Sequence, residues 1–123
     1  MSDPQIPQQR RAAVRAGVRV PVTVTIEGER LRGTTLDLSE GGASCAVTVG
    51  TTGIPPVPDS ALEVECVLDT GRVWLPGVVL QSVHRRGWWI ITLRFVDPPE
   101  HDQDLVRGHV FTALRRQRAR GLG

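Results

Sequence analysis

Lysine is missing from this chain, so all 15 basic residues are Arg, and tyrosine is missing as well, leaving three Trp and two Phe as the aromatic complement. A barrel that reads single-stranded nucleic acid needs exposed aromatic faces interleaved with its cations, and so few aromatics argue against a nucleic-acid partner. No stretch of eighteen apolar residues occurs, which excludes a spanning helix. The start, Met1-Ser2-Asp3-Pro4-Gln5, lacks the basic and apolar segments of a secretory signal, and a cytoplasmic location is expected. Cysteine is scarce too. Cys45 and Cys66 share the parity of apolar neighbours, and no CxxC or Cys/His ligand spacing accompanies them, so both read as reduced core thiols with no metal. Signatures of catalysis are also wanting: no GxSxG, HExxH, phosphate-binding loop or dinucleotide glycine motif appears, and His84, His101 and His109 are scattered. The chain is therefore not expected to be an enzyme, and no cofactor is expected.

What is present fits one domain. The 123 residues, 40% of them hydrophobic, suffice for a single modest core. The net charge of +2 conceals a strong segregation. Residues 10–32 carry six Arg against two Glu, residues 107–120 carry five Arg and no acid, and residues 33–106 carry ten carboxylates against four Arg. Two basic ends flanking an acidic middle suit a phosphate-bearing ligand.

Along the chain, residues 1–9 are rich in Pro and Gln and read as a flexible lead-in. Val18, Val20, Val22, Val24 and Ile26 then alternate strictly, the pattern of a half-buried strand, and Pro21 inside it points to an edge or a bulge. Glu27-Gly28-Glu29 is a turn, residues 31–38 a second strand, Ser39 to Gly42 a reversal, and residues 43–47 a third strand. Residues 50–60, with two Gly, three Pro and two Thr, form a surface loop. Strands follow at 61–68, 72–84 and 88–96, separated by Asp69-Thr70-Gly71 and Arg85-Arg86-Gly87. Trp89, Ile91, Leu93 and Phe95 share the core parity, and Trp88, on the other face, is expected beneath a helix. That helix starts near Pro98-Pro99-Glu100, with Leu105, Val106, Val110, Phe111 and Leu114 on its apolar face and residues 115–120 as a solvated basic end. The expected fold is a mainly β, small six-stranded antiparallel β-barrel with a C-terminal α-helix, occupying residues 10–117, with 118–123 as a tail.

Two short motifs carry the functional reading. Arg10-Arg11-Ala12-Ala13-Val14-Arg15 precedes the first strand, and Asp37-Leu38-Ser39-Glu40-Gly41-Gly42 turns the second into the third. The offset-four Arg pair is weak alone: chance supplies about two in a chain with this Arg content, and three occur, at Arg11/Arg15, Arg15/Arg19 and Arg116/Arg120. The hexapeptide alone is also a sound plain turn, because Asp and Ser bond their local backbone and Gly relaxes it. In the order Arg cluster, strand, turn, strand, hexapeptide, the pair resembles the RxxxR and D/NxSxxG signatures of the PilZ family. The resemblance spans residues 10–117. One departure is the closing strand, Ile91-Thr92-Leu93-Arg94-Phe95, where the family often has a Gly ahead of its Phe.

The resemblance implies a cyclic di-GMP-binding receptor that changes conformation and signals to a protein partner; the alternative is a degenerate PilZ module acting only in protein–protein interaction. It implies a ligand site of Arg10, Arg11, Arg15, Asp37, Ser39, Gly41 and Gly42. The chemistry agrees: guanine O6 and N7 form an acceptor pair that an Arg fork satisfies, and the N1–H and N2–H₂ donors want a carboxylate, the role given to Asp37. Ser39 donates to the ligand or holds the turn, and Gly42 allows close backbone approach. In the family an Arg immediately before RxxxR goes with an intercalated ligand dimer, so Arg10 favours two molecules per chain. The lead-in would wrap the ligand and become ordered.

Overall fold

The computed structural model describes residues 17–122, with side chains through Ala119. Six antiparallel strands, β1 (Pro21–Ile26), β2 (Glu29–Leu38), β3 (Gly42–Thr48), β4 (Ala61–Leu68), β5 (Gly71–Arg85) and β6 (Trp88–Phe95), close into a barrel in the order β1-β2-β3-β6-β5-β4. One helix, α1 (Glu100–Leu122), follows. Strand alternation puts Val22, Val24, Leu31, Cys45, Val47, Val64, Cys66, Val73, Leu75, Ile91 and Leu93 inside, and these fill the interior. Burial of each such side chain contributes roughly 1.5–3 kcal/mol.

Local chemistry sets the corners. Glu27 (φ 50°) with Gly28 (φ 79°), and Arg86 (φ 53°) with Gly87 (φ 84°), are two-residue turns with both central residues left-handed, the kind whose twist matches that of the strands. Both lie at one end of the barrel, with the loop 49–60, because β5 runs seven residues past its last pairing with β4 at Val78 and returns as β6 within its own hairpin. At the other end lie the β2–β3 turn at residues 39–41, the β4–β5 turn, the exit of β6 into α1 and the incoming chain at Gly17.

Three expectations need correction. β1 is not an edge strand: it pairs with β2 from Pro21 and with β4 from Val22, and Pro21 is its first residue, where its lack of an N–H breaks no ladder to β4. Val18 and Val20 are buried but precede the strand. Trp88 is 45% exposed and lies at the turn end, away from α1, which packs on β4 and β5. Phe111 is 56% exposed: the helix buries Val106 and Val110 and rests Leu105, Ala113 and Leu114 on the core, and Phe111 falls outside that narrow stripe. Helix α1 starts after Pro98-Pro99 with Glu100 and Asp102 in its first turn, and the Asp102 carboxylate accepts the Trp74 N–H of β5 at 2.9 Å.

Candidate functional site

The hexapeptide 37–42 is a rigid corner. Ser39 is buried, and its hydroxyl oxygen accepts the N–H groups of Gly41 and Gly42, each at 3.1 Å, while its O–H donates to the Gly42 carbonyl at 3.2 Å. The Ser39 N–H donates to that carbonyl too, at 2.9 Å. A hydroxyl has one donor and two acceptor positions, so the turn itself saturates Ser39. Gly41 accepts the Phe95 N–H at 2.9 Å, tying the corner to β6. At Gly42 a Cβ would fall 2.3 Å from the Leu93 carbonyl oxygen, so β3 and β6 meet at a separation that only glycine permits.

A bulge turns Asp37 outward. The pairing of β2 with β3 slips between Thr35 and Asp37, so Thr35 and Leu38 both point into the core although they are three residues apart, and Asp37 stands half-buried on the outer face opposite Ser44. Ser44 pairs in turn with Thr92, their hydroxyl oxygens 3.4 Å apart, and Thr92 with Gln81. The result is a polar row, Asp37–Ser44–Thr92–Gln81, across four strands. One step along lies the more apolar row Thr34–Ala46–Ile90–Val83, and on the other side Arg94 is exposed next to Gly42.

Thr35 anchors the incoming chain to this corner. Its buried hydroxyl accepts the Val20 N–H at 2.9 Å and donates to the Val18 carbonyl, and its own N–H donates to the Val20 carbonyl at 3.0 Å. Residues 18–20 therefore run beside the last turn of β2, toward the end that bears Asp37. Arg10, Arg11 and Arg15 precede Gly17 and lie outside the described residues.

Glu40, in the same corner, holds the helix. Its carboxylate accepts two hydrogen bonds from Arg107, at 3.0 Å and 3.3 Å, and Arg107 also donates to Asp104 at 2.6 Å. The hydrogen bond and charge of Glu40 raise the Arg107 pKa above its ordinary value. Neither Thr35 nor Glu40 is singled out by the sequence. Thr35 carries a faint signal as a polar residue at a core parity, whereas Glu40 and Arg107 are 67 residues apart with nothing to match them.

Other chemistry is sparse. Among the described residues no group of three or more His, Cys, Asp or Glu gathers for a metal, and no helix is long and apolar enough to cross a membrane. Cys45 and Cys66 are buried free thiols. Burial, with the charge of Glu65, pushes Cys66 up to about 12, and burial raises Cys45 further, so neither is a nucleophile near neutrality.

The family model of the PilZ domain matches residues 9–112, which includes both motifs and the whole barrel. This chain belongs to the PilZ domain family. Solved structures agree on the fold. The PilZ domain with c-di-GMP of YcgR from Escherichia coli superposes with a TM-score of 0.69 at 16% identity, covering 92% of this chain and 98% of that one. The inhibitor of motility MotI/DgrA of Bacillus subtilis gives 0.67 at 21% identity over 89% of this chain, which spans 52% of that protein's length. The PilZ domain of CeSA from a cellulose-synthesizing bacterium gives 0.57 at 24%, over 80% and 96%. No curated protein matches by sequence. Against this PilZ barrel the hexapeptide has two layers: Ser39 and Gly42 hold the sheet together, and Asp37 is presented outward from it.

Proposed function

We propose that this chain is a receptor for cyclic di-GMP, bound against the outer face of β2 and β3 beside Asp37 by Arg10, Arg11 and Arg15, with Ser39, Gly41 and Gly42 shaping the turn that presents the carboxylate. The observation that carries the reading is the convergence at one corner of an outward Asp37 and of a chain, fixed by Thr35, that arrives from the Arg cluster. Arg15 is two residues before Gly17, and at roughly 3.5 Å per residue its Cα is within about 7 Å of Gly17. Arg forks satisfy guanine O6/N7 and phosphate oxygens, and Asp37 satisfies guanine N1–H and N2–H₂. Arg10 adds a cationic plane for a second guanine, giving an intercalated ligand dimer. The receptor works without chemistry of its own: the ligand changes the conformation around the corner, and a protein partner reads the change.

Calorimetric titration with cyclic di-GMP, with GMP and GTP as controls, tests the reading. Binding near the micromolar range, about −8 kcal/mol, is expected, and no saturable heat in low salt overturns it. Arg11→Ala or Arg15→Ala should weaken binding about tenfold or more, at roughly 1.5–3 kcal/mol per charge-assisted bond, whereas Arg19→Ala should not. Two ligands per chain falling toward one in Arg10→Leu would support the dimer.

One observation favours the second reading, a module that binds only protein. Ser39 and Gly42 are needed by the sheet whether or not a ligand is bound, so their presence does not by itself speak for one. Asp37→Ala separates the two readings: loss of guanine selectivity with an unchanged melt supports the receptor, and unchanged affinity removes Asp37 from the site.

A further inference from the structure

At the opposite end of the barrel from Asp37 there is a cavity of about 530 Å³. Trp89 and Ile26 line it, the proline-rich segment 54–57 lines it from the loop, and Glu27 and Glu29 add two carboxylates; no Arg or His among the described residues contributes. Ile54 and Val57 are 69% and 62% exposed, which is costly for aliphatic side chains on neighbouring loop positions. The Trp89 indole N–H has no acceptor among the described residues although Trp89 is only 2% exposed. One diagonal step away on the same inner face, the Ser82 hydroxyl also has no partner among the described residues.

The complementary surface is on α1. Phe111 is the most exposed aromatic residue described, and Arg115 and Arg118, four and seven positions on, share its side of the helix. Both Arg are exposed and make no ion pair among the described residues. An apolar ring flanked by two cations thus projects from one end of the molecule, and an apolar cavity flanked by two carboxylates opens at the other. Because the barrel is closed, no strand edge is offered for pairing, and association must proceed through side chains.

We propose that the cavity receives the Phe111–Arg115–Arg118 face of a second copy of this chain, in a head-to-tail contact. Phe111 enters between Trp89 and the segment 54–57, and the two Arg meet Glu27 and Glu29. A heterologous contact of this kind repeats, because each chain keeps one free cavity and one free helix, and it builds rings or open chains rather than a closed twofold dimer. It stands independently of cyclic di-GMP.

Sedimentation velocity of the full chain from about 10 μM to about 1 mM, in low salt, tests the contact. The weight-average mass should rise with concentration, rise less at high salt, and the Trp89 indole N–H resonance should move in step. Phe111→Ser should leave the melt unchanged and weaken association roughly tenfold or more. Glu27→Arg and Arg118→Glu should each abolish it, and an equimolar mixture of the two should associate again, because every cavity then finds a helix of opposite charge. Arg is tolerated at the turn position of Glu27, since Arg86 occupies the same position of the other hairpin at φ 53°. A single monomeric mass at every concentration overturns the proposal, as does association that survives both Phe111→Ser and Glu27→Arg.

Discussion

The two ends of this barrel are built on different terms. At the β2–β3 end the polar groups are spent within the protein: Thr35 on the backbone of Val18 and Val20, Ser39 on that of Gly41 and Gly42, Asp102 on that of Trp74, and Glu40 on the Arg107 side chain of the helix. At the hairpin end the loop 49–60 is held by fewer bonds, chiefly from the Thr51 N–H to the Glu29 carboxylate at 2.7 Å and between Asp59, Ser60 and Val79. Apolar side chains there face water. The contrast teaches that a corner which must present one side chain in a fixed direction is determined by interlocking hydrogen bonds, while a surface that receives a partner keeps apolar area unspent.

The sharpest way to break the comparison is one substitution made at both ends. Gly42→Ala drives a Cβ into the Leu93 backbone oxygen, which cannot move without parting β3 from β6, and should cost more than about 3 kcal/mol by denaturant unfolding. Gly50→Ala meets only the Glu29 carboxylate at 2.4 Å, a side chain that can swing away with the loss of its bond to Thr51, and should cost about 1 kcal/mol. Equal costs would erase the distinction.

Next in size is Thr35→Val, which keeps the shape but strands the Val20 N–H and the Val18 carbonyl. A loss of roughly 1–3 kcal/mol is expected, together with weaker cyclic di-GMP binding because the chain from the Arg cluster loses its anchor. Stability lost with affinity retained would separate the anchor from the site.

Alkaline pH probes the core between the two ends. The folded Cys66 thiol is held at about 12 against 9.0 for a solvated thiol, so between those values the native state keeps a proton that the unfolded chain has released. Stability should therefore be full below pH 9 and fall as pH rises toward 12, by about 1.4 kcal/mol per unit from this group. Cys66→Ala should roughly halve the combined slope of the two buried thiols in melts at pH 9 and above, Cys45 keeping its own share. The smallest effect is expected from Glu40→Gln, which weakens a half-exposed ion pair: the melt should move little, while hydrogen exchange in the first turns of α1 should quicken.

Much of this was legible in the residues. Alternation at 61–68 and 88–95 located strands because a closed barrel buries every second side chain, and turn chemistry located the corners because left-handed backbone favours Gly. The family resemblance located the hexapeptide. Pro21, Trp88 and Phe111 depart from their local pattern for one shared reason: whether a strand has two neighbours or a helix covers a given face is decided by elements far away in the chain.

The number of strands, their inward parity, the turns and the motif order are written in the residues, since each follows from interactions within a few positions. Tertiary structure alone decided that β1 and β4 close the barrel, that Ser39 turns into its own corner while the bulge at Leu36 sends Asp37 outward, and that Glu40 meets Arg107. Those outcomes depend on register between strands and on contacts up to 67 residues apart, and no local propensity encodes either.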